Sequence, residues 1–193
     1  MSGSFSGGAG LARALEQISR NVAKGAAVKV GFLEGSTTTD GESLPMIAAT
    51  LEFGATIKRQ ASSVTVYRKL NKSKTGFAKK GRFVKRKNAD FSSEHQVGEY
   101  TITIPARPYF RNMIAKNSPN WPARIAAALR AGNYDGAVAL KSVGQSIKDD
   151  LQQSIRATDS PPNAKSTIRK KGFNKPLIDT GHMLRSVSYE VKS

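Results

Sequence analysis

The hydrophobic positions of this chain recur with two periods. Leu11, Leu15, Ile18 and Val22 are spaced by four, three and four residues, which puts them on one face of a helix with Gly25 as its stop. The next segment, AAVKVGFLEG, sets Val28, Val30 and Phe32 against Lys29 and Gly31, the alternation of a strand. Beyond the turn-rich TTTDGE, Ser43 stands where it can cap a helix carrying Met46, Ile47 and Leu51. Pro45 falls in the first turn of that helix and Gly54 at its end. SVTVYRK opens a second strand. GEYTITIP is a third, with Tyr100, Ile102 and Ile104 alternating with Thr101 and Thr103 until Pro105 and Pro108 break the ladder. RPYFRNMIAKN restarts as a short helix. NWPARIAAALRAG is another, with Trp121, Ile125 and Leu129 on one face and Gly132 beyond its end. The longest helix runs from near Asp135 to about Arg156 on a stripe of Leu140, Val143, Ile147 and Leu151.

The final stretch, KPLIDTGHMLRSVSYEV, holds a complete small unit. Asp179 or Thr180 can cap a helix over His182–Arg185, after which Val187, Tyr189 and Val191 alternate as a strand. A terminal strand either completes its own sheet or lends an edge to a neighbour. No internal repeat is present. The order of elements predicts an α+β fold with a small, mainly antiparallel sheet flanked by helices. Residues 1–9, rich in Gly and Ser, read as a flexible arm, and 10–193 as a single domain with a basic insertion at about 68–98.

Composition sharpens this picture in one respect. Of 193 residues, 31 are Lys or Arg and 14 are Asp or Glu, a formal charge of +17 that points to a polyanion, an acidic partner or an anionic surface. From Arg68 to Lys87 the chain has ten basic residues and no acid: Arg68, Lys69, Lys72, Lys74, Lys79, Lys80, Arg82, Lys85, Arg86 and Lys87. Phe77 and Phe83 are interleaved with them. Lying between predicted strands, this stretch is a long hairpin tip or inserted loop. Its charges suit contact with nucleic-acid phosphates or with an acidic protein neighbour, and a merely solvated loop is the plain alternative. A second cluster, Lys165, Arg169, Lys170, Lys171 and Lys175, reads as a solvated face.

Other chemistry is thin. Cysteine is absent, which removes disulfides and thiolate chemistry. His95 and His182 lack metal-ligand spacing. Asp179-Thr180-Gly181 is followed by a helix-like segment and almost no further chain, so it reads as a cap and not as an aspartic-protease strand motif. SGGAG has no P-loop lysine. Asp149 and Asp150, adjacent in a helix, face different directions. The reading is non-enzymatic, with no cofactor and no metal. No apolar run approaches the ~20 residues of a membrane span. MSGSFSGGAG has neither a basic n-region nor an apolar h-region, so the chain is expected to be made in a cytoplasm.

Four stretches taken in order, VKVGFLEG, MIAATLEFGA, IPARPYFRNMI and KPLIDTGHMLRSVSYEV, resemble those of small neck and tail-completion proteins of long-tailed bacteriophages, the head–tail joining and tail-terminator class. The resemblance spans most of the chain apart from the first nine residues and the insertion at 68–98. It implies a structural virion protein forming a ring, commonly of six copies, between the head connector and the tail tube. Arg107, Tyr109 and Phe110 of ARPYF are then candidate interface anchors, since Arg and aromatic residues concentrate at hot spots; packing in the core is the competing reading. The basic segment departs from the family pattern, and its contact is either genomic DNA in the channel or a protein neighbour. A basic nucleic-acid-binding accessory protein is the alternative function.

Overall fold

The computed structural model describes residues 8–23 and 27–192. In chain order the elements begin with α1 (Gly8–Val22), β1 (Ala27–Gly31), α2 (Leu44–Phe53), β2 (Ala55–Arg59), β3 (Ser62–Arg68), β4 (Phe91–Val97) and β5 (Tyr100–Ile104). They continue with α3 (Tyr109–Asn117), α4 (Trp121–Ala131), α5 (Gly136–Ala157), α6 (Lys165–Lys171), α7 (His182–Arg185) and β6 (Ser188–Lys192). The protein is mixed α+β, as the pattern predicts. Its strands, however, pair two by two, β1 with β6, β2 with β5 and β3 with β4, and do not form one sheet. Two compact units result: Met1–Ala55 together with Pro105–Ser193, and Thr56–Ile104 between them in sequence. The insertion expected at about 68–98 therefore belongs to a longer inserted unit. Gly8 and Ala9, read as part of an arm, open α1; the rest of that arm and the Gly25 stop lie outside the described residues.

In the first unit the core forms along α5. Asp135 caps this helix, its carboxylate accepting from the amides of Ala137 at 2.9 Å and Val138 at 3.1 Å. Val143, Ile147, Leu151 and Ile155, at successive steps of four, are all buried. They pack with Tyr109 and Met113 of α3 and with Val187 before the final strand. The antiparallel pair β1–β6 lies on α5, in a register that sets Val28 opposite Val191 and Val30 opposite Tyr189. Gly144 allows this close approach. A Cβ at that position would stand 2.7 Å from the Tyr189 ring and 2.8 Å from Val28 Cγ2. The C-terminal strand thus completes a pairing within its own chain.

α2 reads correctly to within a residue, although Ser43 occupies the N-cap position without a side-chain bond. The predicted cap of α7 is corrected in a similar way: Gly181, at φ 75°, is the N-cap, and Thr180 Oγ1 accepts from the His182 amide at 3.3 Å. The predicted helix at α1 is present, and of its apolar stripe Ile18 is half-buried while Leu15 and Val22 are 58% and 37% exposed.

The second unit is a pair of two-stranded ribbons. β3 and β4 form an antiparallel hairpin from Ser62 opposite Val97 to Arg68 opposite Phe91. None of the described residues of this unit is buried. The predicted strand at GEYTITIP is real, but it pairs with β2 and does not close the basic hairpin; β4 does.

Candidate functional site

The basic segment is the folded tip of the β3–β4 ribbon. Its backbone extends the hairpin by bonds from Ala78 N to Lys69 O, Val84 N to Tyr67 O and Asp90 N to Arg68 O. Bridges link Arg68 with Phe83 and Leu70 with Phe77. Within the first turn, the Asn71 side chain closes the loop, its Oδ1 accepting from the Thr75 amide at 3.0 Å and from Ser73 Oγ at 3.1 Å. The second turn holds a 3-10 segment at Ala78–Gly81 and another at Arg86–Asn88.

Arg68 is placed differently from the other candidate contacts. It is half-buried, with its guanidinium carbon 5.0 Å from the centroid of Phe77 and 5.4 Å from that of Phe83. Phe77 meets Phe91 edge-on at 5.3 Å. Arg68 is therefore the scaffold of the tip, joined to its aromatic residues by cation–π attraction. Lys69, Lys72, Lys74, Arg82, Lys85, Arg86 and Lys87 are exposed. Lys79 and Lys80 lie in the first 3-10 segment, with side chains outside the described part of the structure. Phe83 is 70% exposed among these cations. The whole unit carries twelve Lys and Arg against three acidic residues.

The proposed anchor at Arg107, Tyr109 and Phe110 sits elsewhere, in the first unit, and mostly inside it. Arg107 is 5% exposed, donating from Nε to Pro161 O at 2.9 Å and from Nη2 to Pro162 O at 3.1 Å. Its amide donates to Leu51 O at 2.8 Å. Burial lowers its pKa from the usual arginine value. Tyr109 is 1% exposed and its hydroxyl donates to Ala48 O at 3.3 Å. Burial, and then the charge of Glu52, raise its phenol above the ordinary tyrosine range. Both residues hold the fold from within and are not surface anchors. Phe110 is half-buried, with its ring edge over Gly31, where an added Cβ would meet it at 3.4 Å.

Sequence reading overlooked Glu52. This carboxylate, in a residue 5% exposed, accepts from the amides of Phe110 at 2.8 Å and Arg111 at 3.1 Å, and from Arg111 Nε at 2.9 Å. It caps α3 from another helix, neutralising free amides that Pro108 at the N-cap leaves without a side-chain acceptor. A signal was present: Leu44, Ala48 and Glu52 are spaced by four on the buried stripe of α2, so the acid faces inward. Beside Glu52 lies a cleft of about 490 Å³ whose walls come from all four stretches singled out above, among them Phe32, Ala49, Phe53, Phe110, Arg111 and Glu190.

The remaining candidates are placed as follows. His182 Nε2 is 3.0 Å from Thr37 O, and His95 Nε2 is 2.9 Å from Ser93 Oγ. Asp150 pairs with Arg124 while Asp149 accepts from Gln145 at 2.8 Å, so these acids do diverge. The second basic cluster forms α6, and two of its members are structural. Lys171 Nζ donates to the carbonyls of Lys175 and Ile178, and Lys175 pairs with Asp159. No helix among the described residues is long and apolar enough to cross a membrane. Comparison with family models, curated proteins and solved structures gives no match for this chain.

Proposed function

We propose that this chain is a non-catalytic structural protein of the bacteriophage neck. Copies form a ring that joins the head connector to the tail tube and completes or terminates the tail. Its place is the virion, at the head–tail interface, after synthesis in the host cytoplasm. The observation that carries this reading is the inserted unit, where none of the described residues is buried. A two-stranded hairpin is marginal on its own in water and gains stability from a packed face or an added strand. Val64, Tyr100 and Ile102 of these ribbons are 45%, 49% and 38% exposed. Such an element suits a partner better than solvent. The paired strands β1 and β6 also leave one edge each without a strand neighbour among the described residues. Ring assembly uses such unlike patches, one element of a copy meeting a different surface on the next. The resemblance of the four ordered stretches names the setting, and those stretches line one cleft in the compact unit.

The test is native mass and negative-stain imaging of the purified chain. A ring of six copies of the 20.8 kDa chain has a mass of about 125 kDa and a visible central channel. A strict monomer at tens of micromolar, alone and with connector protein, overturns the proposal. A salt-sensitive DNA binder that stays monomeric supports the accessory-protein reading instead.

A further inference from the structure

We propose that the folded tip of the β3–β4 ribbon is a binding site for the phosphate backbone of duplex DNA. This inference stands on the tip itself and does not require the ring.

Three observations point the same way. First, the tip is ordered by groups that are not its exposed charges. Arg68 lies against Phe77 and Phe83, Phe77 against Phe91, and the Asn71 turn is closed by its own side chain. The exposed cations are therefore held on a frame, and less ordering entropy opposes binding than for a loose basic loop. Second, the exposed cations fall on both turns of that frame: Lys72 and Lys74 on one, Lys85, Arg86 and Lys87 on the other. Between Arg68 and Ala89 no carboxylate interrupts them. A duplex presents one negative charge per about 1.7 Å of axis, which is the continuous acceptor such a surface fits. Third, the tip is rich in lysine, with Lys69, Lys72, Lys74, Lys85 and Lys87 all exposed. Lysine is depleted at protein–protein interfaces, whereas it is a common partner of phosphate. Of the tip's aromatic residues only Phe83 is mostly exposed, while Phe77 and Phe91 pack edge-on against each other, so cations and not apolar groups dominate its surface. The stem carries Glu94 and His95 and contributes little charge, so contact is confined to the tip and reads backbone, not base sequence.

The experiment is fluorescence anisotropy of the full chain with a labelled random-sequence duplex across a salt series. If about six phosphates are neutralised, log Kobs falls against log salt with a slope of roughly −5, a loss of about a thousandfold between 50 and 200 mM. The tip variant K85A/R86A/K87A should have a slope less steep by about 3, one per lost contact. The control K165A/R169A/K170A, on exposed residues of α6, removes the same charge and should leave the slope unchanged. Circular dichroism checks that each variant is folded, and K72A/K74A on the other turn replaces the first variant if it is not. Equal changes in slope for tip and control variants overturn the proposal, because net charge alone then explains the binding. An unmoved slope in the tip variant, together with a native mass that falls to the monomer, also overturns it, and assigns the tip to another copy of this chain.

Discussion

Replacing Gly144 by Ala sets two opposed effects against each other at one position. In the interior of a helix, Ala is favoured over Gly by about 1 kcal/mol, because Gly gives up more backbone entropy. At an exposed site in α5 the substitution would raise stability. Gly144, however, is buried where α5 lies on β1 and β6. The added Cβ would stand 2.7 Å from Tyr189 Cδ2, 2.8 Å from Val28 Cγ2 and 3.1 Å from Tyr189 Cγ. Ordinary carbon contacts are about 3.5–4.0 Å, so nearly an ångström must open on two sides at once. Neither neighbour is the free end of a long side chain. Val28 is branched at Cβ, and Tyr189 presents a rigid ring. Retreat of the whole helix would loosen the packing of Val143 and Ile147 beside it.

Overpacking costs about 1–3 kcal/mol, and two contacts below 3.0 Å with rigid neighbours put this site in the upper part of that range, about 2–3 kcal/mol. After the helix gain, the net should be about 1–2 kcal/mol of destabilisation. For a chain of this size that lowers Tm by roughly 2–8 °C. Thermal unfolding followed by circular dichroism measures it, with Lys141→Ala on the exposed side of the same helix as a control. Combining Gly144→Ala with Val28→Ala should recover part of the loss, since the second change removes one of the two obstructions and the pair must be non-additive. A Tm for Gly144→Ala equal to or above that of the parent protein would refute the reasoning, because helix propensity would then outweigh the close approach.

Glu52→Gln should cost about 1–3 kcal/mol in urea unfolding, since two part-buried amides lose a charged acceptor and the new NH2 group faces one of them. Most of that cost belongs to the amides of Phe110 and Arg111, because the Arg111 side chain is 58% exposed and water screens its ion pair; a loss no greater than that of Arg111→Ala would contradict this division. The raised phenol of Tyr109 gives a pH dependence. The folded state keeps its proton above pH ~10, where the unfolded chain releases it, so stability is full below that pH and falls by up to about 1.4 kcal/mol per pH unit above it. Tyr109→Phe should flatten that part of the alkaline stability profile, and an unchanged slope would show that other groups set it.

What the sequence revealed follows burial only in part, since β3, β5 and α1 were legible from their periodicity with no described residue of theirs buried. The α5 stripe, β1 and the terminal strand were legible because each has one face against a core, and the side chains record which face it is. β4, FSSEHQV, was not legible: neither of its faces is buried, so nothing selects apolar residues at alternate positions. α6 was missed for the same reason, having Ile168 alone as an apolar residue and ending at Gly172, which takes φ 82°. The contact set was read by charge, and charge alone cannot separate Arg68, held between two rings, from Lys72, which projects freely. Only a residue's neighbours make that distinction. Arg107 and Tyr109 misled in the opposite direction, since arginine and aromatic residues anchor interiors as readily as interfaces.

The two units therefore differ in what holds them. The first gains its stability from the side chains gathered on α5, and its polar groups are answered from within, as Glu52 answers the amides of α3 and the Pro161 and Pro162 carbonyls answer Arg107. The second has hydrogen-bonded ladders and an aromatic tip, but none of its described residues is fully buried. Backbone bonds made in water contribute modestly, about 0.5–1.5 kcal/mol each, against about 1–2 kcal/mol for fixing each residue's backbone. With so little burial to offset that cost, the ribbons gain less stability from packing than the first unit does. A surface that gains from being covered and that carries most of its charge in one folded tip is suited to association. Binding that covers the exposed Val64, Tyr100 and Ile102 side chains would stabilise the ribbons, so the stability of this unit should rise with assembly. Amide hydrogen exchange across β2–β5 should accordingly slow on assembly, while exchange along α5 stays as it is in the free chain.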